Sequence, residues 1–222
     1  MTVELELLKT ARYFSKVDRA ALEDIGRFIF ERKFPVGEII LWEGEEDELL
    51  YFVISGLLKL FTTSAEGREF IIRIVYGGDS INDDAAFDKE PNILSAMSMS
   101  PVVLYGLRQR DLGKILHIYP QVKSNIAEVF ATRQRYLIRL AKELVFKNVT
   151  SRLARLLLEK EKLARAGTEE PRITQQEMAS MIGTVRELVS RSLRDLESMG
   201  AIRIEHNQII MNRDRLLELS SL

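Results

Sequence analysis

Between Gln121 and Phe146 the chain runs 26 residues with no glycine and no proline, in a composition rich in good helix formers. Such a segment has one natural conformation, a helix near 39 Å long at ~1.5 Å per residue, more than one small barrel needs to cover. Texture differs on its two sides. Residues 5–32 suggest two short helices, with Ser15 or Asp18 as start signals before Ala20–Phe28. From Lys33 to about Gln109, short runs rich in Val, Ile, Leu, Tyr and Phe alternate with Gly37, Gly44, Gly56, Gly67 and the Gly77–Gly78 pair. That spacing predicts many short antiparallel strands, with Leu50-Tyr-Phe-Val-Ile and Phe70-Ile-Ile-Arg-Ile-Val as core strands. Beyond the long helix, Asn148 can cap a helix over Val149 to about Arg165, which Ala166-Gly-Thr-Glu-Glu-Pro breaks. The expected organisation is α+β, with an all-β module and its N-terminal helices over 1–119, the long helix over 120–147, and a helical module over 148–222.

The long helix carries a pattern of its own. Ile126, Phe130, Arg133, Leu137, Leu140 and Leu144 are spaced 4, 3, 4, 3, 4, the seam of a two-stranded coiled coil. Val129, Tyr136 and Val145 widen the stripe. A homodimer joined along this seam is the expectation, with packing onto the chain's own barrel as the alternative.

The formal net charge of −1 conceals a division. Residues 1–100 carry 11 Lys and Arg against 19 Asp and Glu, a net of −8; residues 101–222 carry 21 against 14, a net of +7. An acidic module joined to one that meets a polyanion fits this split. The absence of cysteine excludes disulfides, cysteine-ligated iron–sulfur clusters and cysteine zinc sites. With only His117 and His206 present, and neither inside the barrel segment, a multi-histidine metal centre or a metal-dependent barrel enzyme is not expected. No apolar run reaches the ~20 residues of a membrane span, and the N-terminus lacks the pattern of a signal peptide, so a cytoplasmic location with no membrane partner is expected.

The densest motif lies at residues 172–196, which reads as two short helices meeting at Gly183. Thr174 and Glu177 are placed to form a capping box at the start of the first helix. Ala179 supplies the small residue where the helices cross, while Met178, Ile182, Val189 and Leu193 hold them together. The second helix begins at Thr184 or Val185 and opens with Arg186, Glu187, Ser190 and Arg191. An arginine can pair bidentately with guanine and a glutamate can accept from the cytosine amino group, so this helix suits a DNA major groove. Thr174, Gln175, Gln176 and Thr184 are candidates for phosphate or groove-edge contacts. A solvated charged face is the plainer reading, disfavoured by the apolar frame and the glycine turn. Past Ser198-Met-Gly200, Ile202-Arg-Ile and Ile209-Ile-Met flank Glu205–Gln208 as a hairpin wing, with His206 in its turn.

Beyond this motif the chain resembles the cyclic-AMP receptor / fumarate–nitrate regulator (CRP/FNR) family of bacterial transcription factors. The resemblance rests on Tyr51-Phe-Val-Ile-Ser-Gly56, Gly77-Gly-Asp79, Phe146-Lys-Asn-Val149, Arg152-Leu-Ala-Arg-Leu-Leu157 and Gly183-Thr-Val-Arg-Glu-Leu-Val-Ser-Arg191. It implies a β-roll sensor of jelly-roll type, a long dimerisation helix and a winged helix-turn-helix. It also implies a homodimer on a near-palindromic duplex, with RNA polymerase as a further partner if the chain activates transcription. Arg186, Glu187 and Arg191 would read bases. Val185 departs from the Ser or Thr common at that position.

The same resemblance frames the sensor. Cyclic-nucleotide readers of the family hold the phosphate with a Gly-Glu pair and an Arg-Ser-Ala run. Here the corresponding stretches are Asn82-Asp-Asp84 and Ile93-Leu-Ser-Ala96, so the cation is replaced by Ile93 or Leu94. A buried phosphate facing two aspartates without a cation is strongly disfavoured, and a cyclic nucleotide is not expected. Leu137 and Ile138 stand where those readers place hydroxyls. Asp83, Asp84, Leu94, Ser95, Arg133 and Leu137 are the candidate effector residues. Arg133 could hold an effector carboxylate, pair with Asp83 or Asp84, or be solvated. Haem on His117 stays open but is not favoured, since a structural histidine is the commoner role. The effector is therefore unidentified. A constitutive DNA-binding regulator, or a small-molecule-binding β-roll with incidental DNA contact, are the competing readings.

Overall fold

The computed structural model describes residues 3–165, 173–205 and 208–221, which divide into two compact units. The first comprises residues up to Thr62 and Ile72–Arg135; the second comprises Thr63–Ile71 and Tyr136 onward. The division falls inside the long helix.

The first unit is built on two four-stranded antiparallel sheets. Strands β1 (Ile29–Phe34), β8 (Val102–Arg108), β3 (Leu49–Ser55) and β6 (Ser80–Ile81) form one, in the order β1-β8-β3-β6. The other has the order β2-β7-β4-β5, from β2 (Ile39–Leu41), β7 (Ser95–Ser98), β4 (Leu58–Thr63) and β5 (Glu69–Val75). Strand β3 explains why Leu50–Val53 is unbroken apolar sequence. Its alternate residues enter two cores, since Tyr51 and Val53 join Phe34, Leu41, Leu58 and Leu104. Leu50 and Phe52 point the other way, into a cluster with Tyr13, Phe14, Ile25 and Ile126. A strand covered on both faces has no polar side to show. At Gly56 the chain takes φ +87°, and a Cβ there would fall 2.2 Å from the Pro101 carbonyl oxygen, so no larger residue fits.

The second cluster lies under the N-terminal segment. Helices α1 (Leu5–Leu8) and α2 (Arg19–Gly26) flank a 3-10 turn at Arg12–Phe14. Asp18 caps α2 by accepting from the Ala21 amide at 2.8 Å, as its position in the sequence predicts. The helical segment ends sooner than expected. Ile29–Phe34 pairs along its whole length with β8, Ile29 opposite Leu107 and Phe34 opposite Val102, so sheet pairing begins four residues before Lys33, where the sequence places the start of the strands. Two helices inside or beside the β-module were not foreseen: α3 (Asp83–Asp88) and α4 (Gln109–Ile118).

Helix α5 spans Pro120–Phe146. Its first half lies on the first unit, where Val122, Asn125, Ile126 and Val129 are buried. The second unit contains α6 (Val149–Arg165), α7 (Gln175–Ile182), α8 (Arg186–Ser198), the hairpin β9 (Ile202–Glu205) and β10 (Gln208–Met211), and α9 (Arg213–Ser221). Asn148 caps α6 through the Ser151 amide at 2.9 Å. Leu153, Leu157, Met178, Ile182, Val189, Leu193, Leu196 and Leu216 form one core. Helix α9, absent from the sequence reading, contributes Leu216 to it. The expected breaker at Ala166–Pro171 and His206 in the wing lie outside the described residues.

Candidate nucleic-acid interface and sensor site

The turn between α7 and α8 is set by local chemistry. Thr174 accepts from the Glu177 amide at 3.2 Å while its own amide donates to the Glu177 carboxylate at 2.7 Å, the complete capping box. Gly183 ends α7 in the left-handed region, φ +65°, and a Cβ there would approach Leu144 to 2.9 Å. The conformation is what favours glycine, since the Leu144 methyl lies at the end of a side chain that can shift. Val185, extended, occupies the cap position of α8 and gives no side-chain bond, so the first amides of α8 have no side-chain acceptor.

Helix α8 is sharply two-faced. Val189, Ser192, Leu193 and Leu196 are buried, whereas Arg186, Glu187 and Arg191 are exposed and Ser190 half-exposed. Arg194, one turn further on, continues the same ridge, and sequence reasoning missed it. Continuing the i, i+4 spacing from Ser190 to Arg194 would have found it. Neither Arg186, Arg191 nor Arg194 forms an ion pair with another described residue. Thr174 and Gln176 are exposed, and Gln175 and Thr184 half-exposed. The hairpin β9–β10 pairs Ile202 with Met211 and Glu205 with Gln208, forming the expected wing.

The candidate sensor residues do not all converge. Asn82, left-handed at φ 63°, precedes α3 and donates to the Asp47 and Leu49 carbonyls at 3.1 and 2.9 Å. That anchored bend delivers Asp83, 2% exposed, to Arg133 of α5. The guanidinium donates to Asp83 Oδ2 at 2.5 Å and to the carbonyl and hydroxyl oxygens of Ser80 at 2.7 and 2.8 Å. Ser80 Oγ in turn donates to Asp83 Oδ1 at 2.7 Å, and the Tyr13 hydroxyl donates to that same oxygen. Arg133 Nε is buried and makes no hydrogen bond to a described residue. Burial and then the Asp83 carboxylate raise the Tyr13 pKa far above its usual range. Burial, the largest single influence, lowers the pKa of Arg133, but Asp83, Tyr13 and Asp79 together outweigh it and the net shift is upward.

Asp84 is half-buried outside this network; burial first, and the neighbouring Asp83 charge second, raise its pKa. Leu94 is half-buried, and the Ser95 hydroxyl is engaged with the Glu43 amide at 3.0 Å. Leu137 is 50% exposed on α5. His117 is exposed in the last turn of α4, which corrects the expectation of a structural histidine. Among the described residues no three His, Cys, Asp or Glu side chains group as metal ligands, and no helix is long and apolar enough to cross a membrane.

Comparison with known proteins bears on both regions. Residues 31–119 match the cyclic nucleotide-binding domain family, and residues 151–219 match the Crp-like helix-turn-helix domain family. The chain belongs to the CRP/FNR family of transcription regulators. It is 28% identical over 214 residues to a CRP-like cAMP-activated global transcriptional regulator of Mycobacterium tuberculosis, covering 93% of this chain and 95% of the relative. The cyclic AMP receptor protein of Thermus thermophilus is 29% identical over 197 residues, covering 88% and 90%. Among solved structures, FixK2 from Bradyrhizobium japonicum aligns with a TM-score of 0.74 at 26% identity, covering 86% and 96%. CRP/FNR relatives are regulators, and the chain is grouped with them rather than with enzymes.

The residues of the seam read from the sequence of this CRP/FNR chain have different surroundings. Ile126 is buried and Phe130 half-buried against the first unit's core, and Arg133 is committed to Asp83. Leu137 is 50% exposed, and Leu140 and Leu144 are half-buried. Beside them Ala127, Ala131, Gln134, Ile138, Ala141 and Val145 form an exposed stripe that repeats the 4, 3, 4, 3, 4 spacing one residue further along.

Proposed function

We propose that this CRP/FNR regulator acts as a homodimer that binds a near-palindromic duplex through α8, with the exposed stripe on α5 as the seam between copies. The observation that carries the reading is the solvent-facing ridge of Arg186, Glu187, Ser190 and Arg191 behind the left-handed Gly183 turn, whose arginines pair with none of the described residues. Arginine and glutamate side chains standing free on the first turns of a helix match the donor and acceptor pattern of the major groove. The amides at the start of α8, lacking a side-chain cap, suit a backbone phosphate.

A cyclic nucleotide is not the effector in this reading. Aliphatic Ile93, 60% exposed, and Leu94 take the place of a phosphate-neutralising arginine, and the Arg133 guanidinium is already saturated on one edge by Asp83. The relative's dependence on cyclic AMP therefore does not transfer.

The test is selection of duplexes from a randomised pool by the full chain, followed by fluorescence anisotropy. The selected sequence should show two inverted half-sites. Arg191→Ala should weaken binding by about 1–3 kcal/mol and relax preference at one base pair per half-site. Unchanged affinity of Arg186→Ala/Arg191→Ala for that duplex would overturn the assignment and favour a β-roll module with incidental DNA contact.

A further inference from the structure

Three features of the first unit meet at Arg133. Its guanidinium projects from α5, the helix that continues beyond the first unit, and it is only 16% exposed. The carboxylate opposite comes from the chain itself, on a bend that Asn82 fixes through two carbonyls. The N-terminal turn closes over this pair. Buried Asn125 of α5 donates to the Tyr13 carbonyl at 2.9 Å and to the Ser15 carbonyl, which places the Tyr13 ring so that its hydroxyl reaches Asp83. The Arg12 backbone amide donates a hydrogen bond to the Gly78 carbonyl at 3.1 Å. The Asp83 carboxylate thus accepts from a guanidinium, a serine hydroxyl and a phenol, the donor set that a protein would build around a small bound carboxylate or phosphate oxygen.

We infer that Asp83 is a built-in counter-ion: it occupies, as a tethered anion, the position from which Arg133 of α5 would engage an anionic effector, and Tyr13 closes the site over it. The inference rests on the sensor reading above and goes further by removing the need for any anionic ligand. Three donors to one buried carboxylate offset the cost of its desolvation, whereas an added anion would meet an existing negative charge. Because the ion pair joins α3 to α5 within one unit, the first half of α5 is fixed on the β-module by the chain's own groups.

The experiment is thermal melting of the full chain at fixed ionic strength, with sodium chloride, sodium formate, inorganic phosphate or cyclic AMP. The natural sequence should give the same Tm in all four. Asp83→Ala should lower Tm, on the order of 10 °C, and formate should restore part of the loss saturably, because it supplies the deleted carboxylate. Asp83→Ala/Arg133→Met should not respond to formate. Should Asp83→Ala fail to fold, the isosteric Asp83→Asn and the apolar pair Asp83→Leu/Arg133→Met decide. The pair should melt above Asp83→Asn, since no buried charge is left alone. Stabilisation of the natural sequence by phosphate or cyclic AMP, lost in Arg133→Met, would overturn the inference. A formate response of equal size in Asp83→Ala and in the double variant would do the same. Melting involves no DNA, so this outcome is independent of the duplex-binding test. In a second arm, anisotropy on the selected duplex should give the natural sequence equal affinity with and without cyclic AMP; a tenfold gain with it would also overturn the inference.

Discussion

Asp83 and Asp84 are adjacent in sequence yet have opposite circumstances. Asp83 has three donors, while Asp84 is half-buried beside that charge and its pKa is raised. A carboxylate with a raised folded pKa binds more protons in the native state than in the unfolded chain across the interval between the two values. Its contribution is a penalty that sets in as pH rises through that interval from the ordinary aspartate value, about 3.9, and is complete above the folded value. Asp84→Asn should therefore raise Tm at pH 7, and the gain should shrink as pH falls toward the ordinary aspartate range. Melting curves at a series of pH values check this, and a gain independent of pH would show that the charge is not its origin. The sequence presents both aspartates and Arg133 as candidates without separating them. What separates them is Asn82: a left-handed residue with two carbonyl partners that are 33 and 35 positions away cannot be read from local pattern. Tyr13 was equally hidden, since its partner lies 70 residues on.

At the level of elements, those with strong local signals were legible. The capping box at Thr174, the Gly183 turn, Asn148 and Asp18 all act through bonds spanning two to five residues, so their spacing alone identifies them. Bounds decided by distant pairing were displaced: the strands begin at Ile29, not Lys33, because β8 pairs with the whole of Ile29–Phe34. The short helices α3 and α4 sit within or next to strand-like sequence, and their glycine- and aspartate-containing turns resemble strand breaks. Helix α5 was located correctly, and the start of its heptad, Ile126 and Phe130, packs on the chain's own β-module, the alternative that the sequence left beside a seam between copies. For the dimer proposed above, Ile138→Asp should produce monomers in sedimentation velocity, because this residue is 51% exposed on the second stripe. An intact dimer would move the seam elsewhere. Ile126→Asp should instead unfold the first unit, since that side chain is 6% exposed.

On the scale of the whole molecule, the charge division set the expectation of a polyanion partner, and the positive half contains α8 with its exposed arginines. Binding to a duplex should release condensed counter-ions. The logarithm of the association constant should fall linearly with the logarithm of salt, with a slope of about −0.9 per phosphate contacted. Anisotropy titrations on the selected duplex at several salt concentrations measure it, and a flat response would remove DNA as the partner. The division of the chain into units within α5, at 135–136, leaves one uninterrupted helix common to both. Adding one residue there would turn the rest of α5 by about 100° about its own axis, carrying Ile138 and Val145 out of line with Ala127 and Ala131. For the dimer proposed above, insertions of seven residues keep the stripe aligned and insertions of one split it, as teeth on a gear rather than as links in a tether.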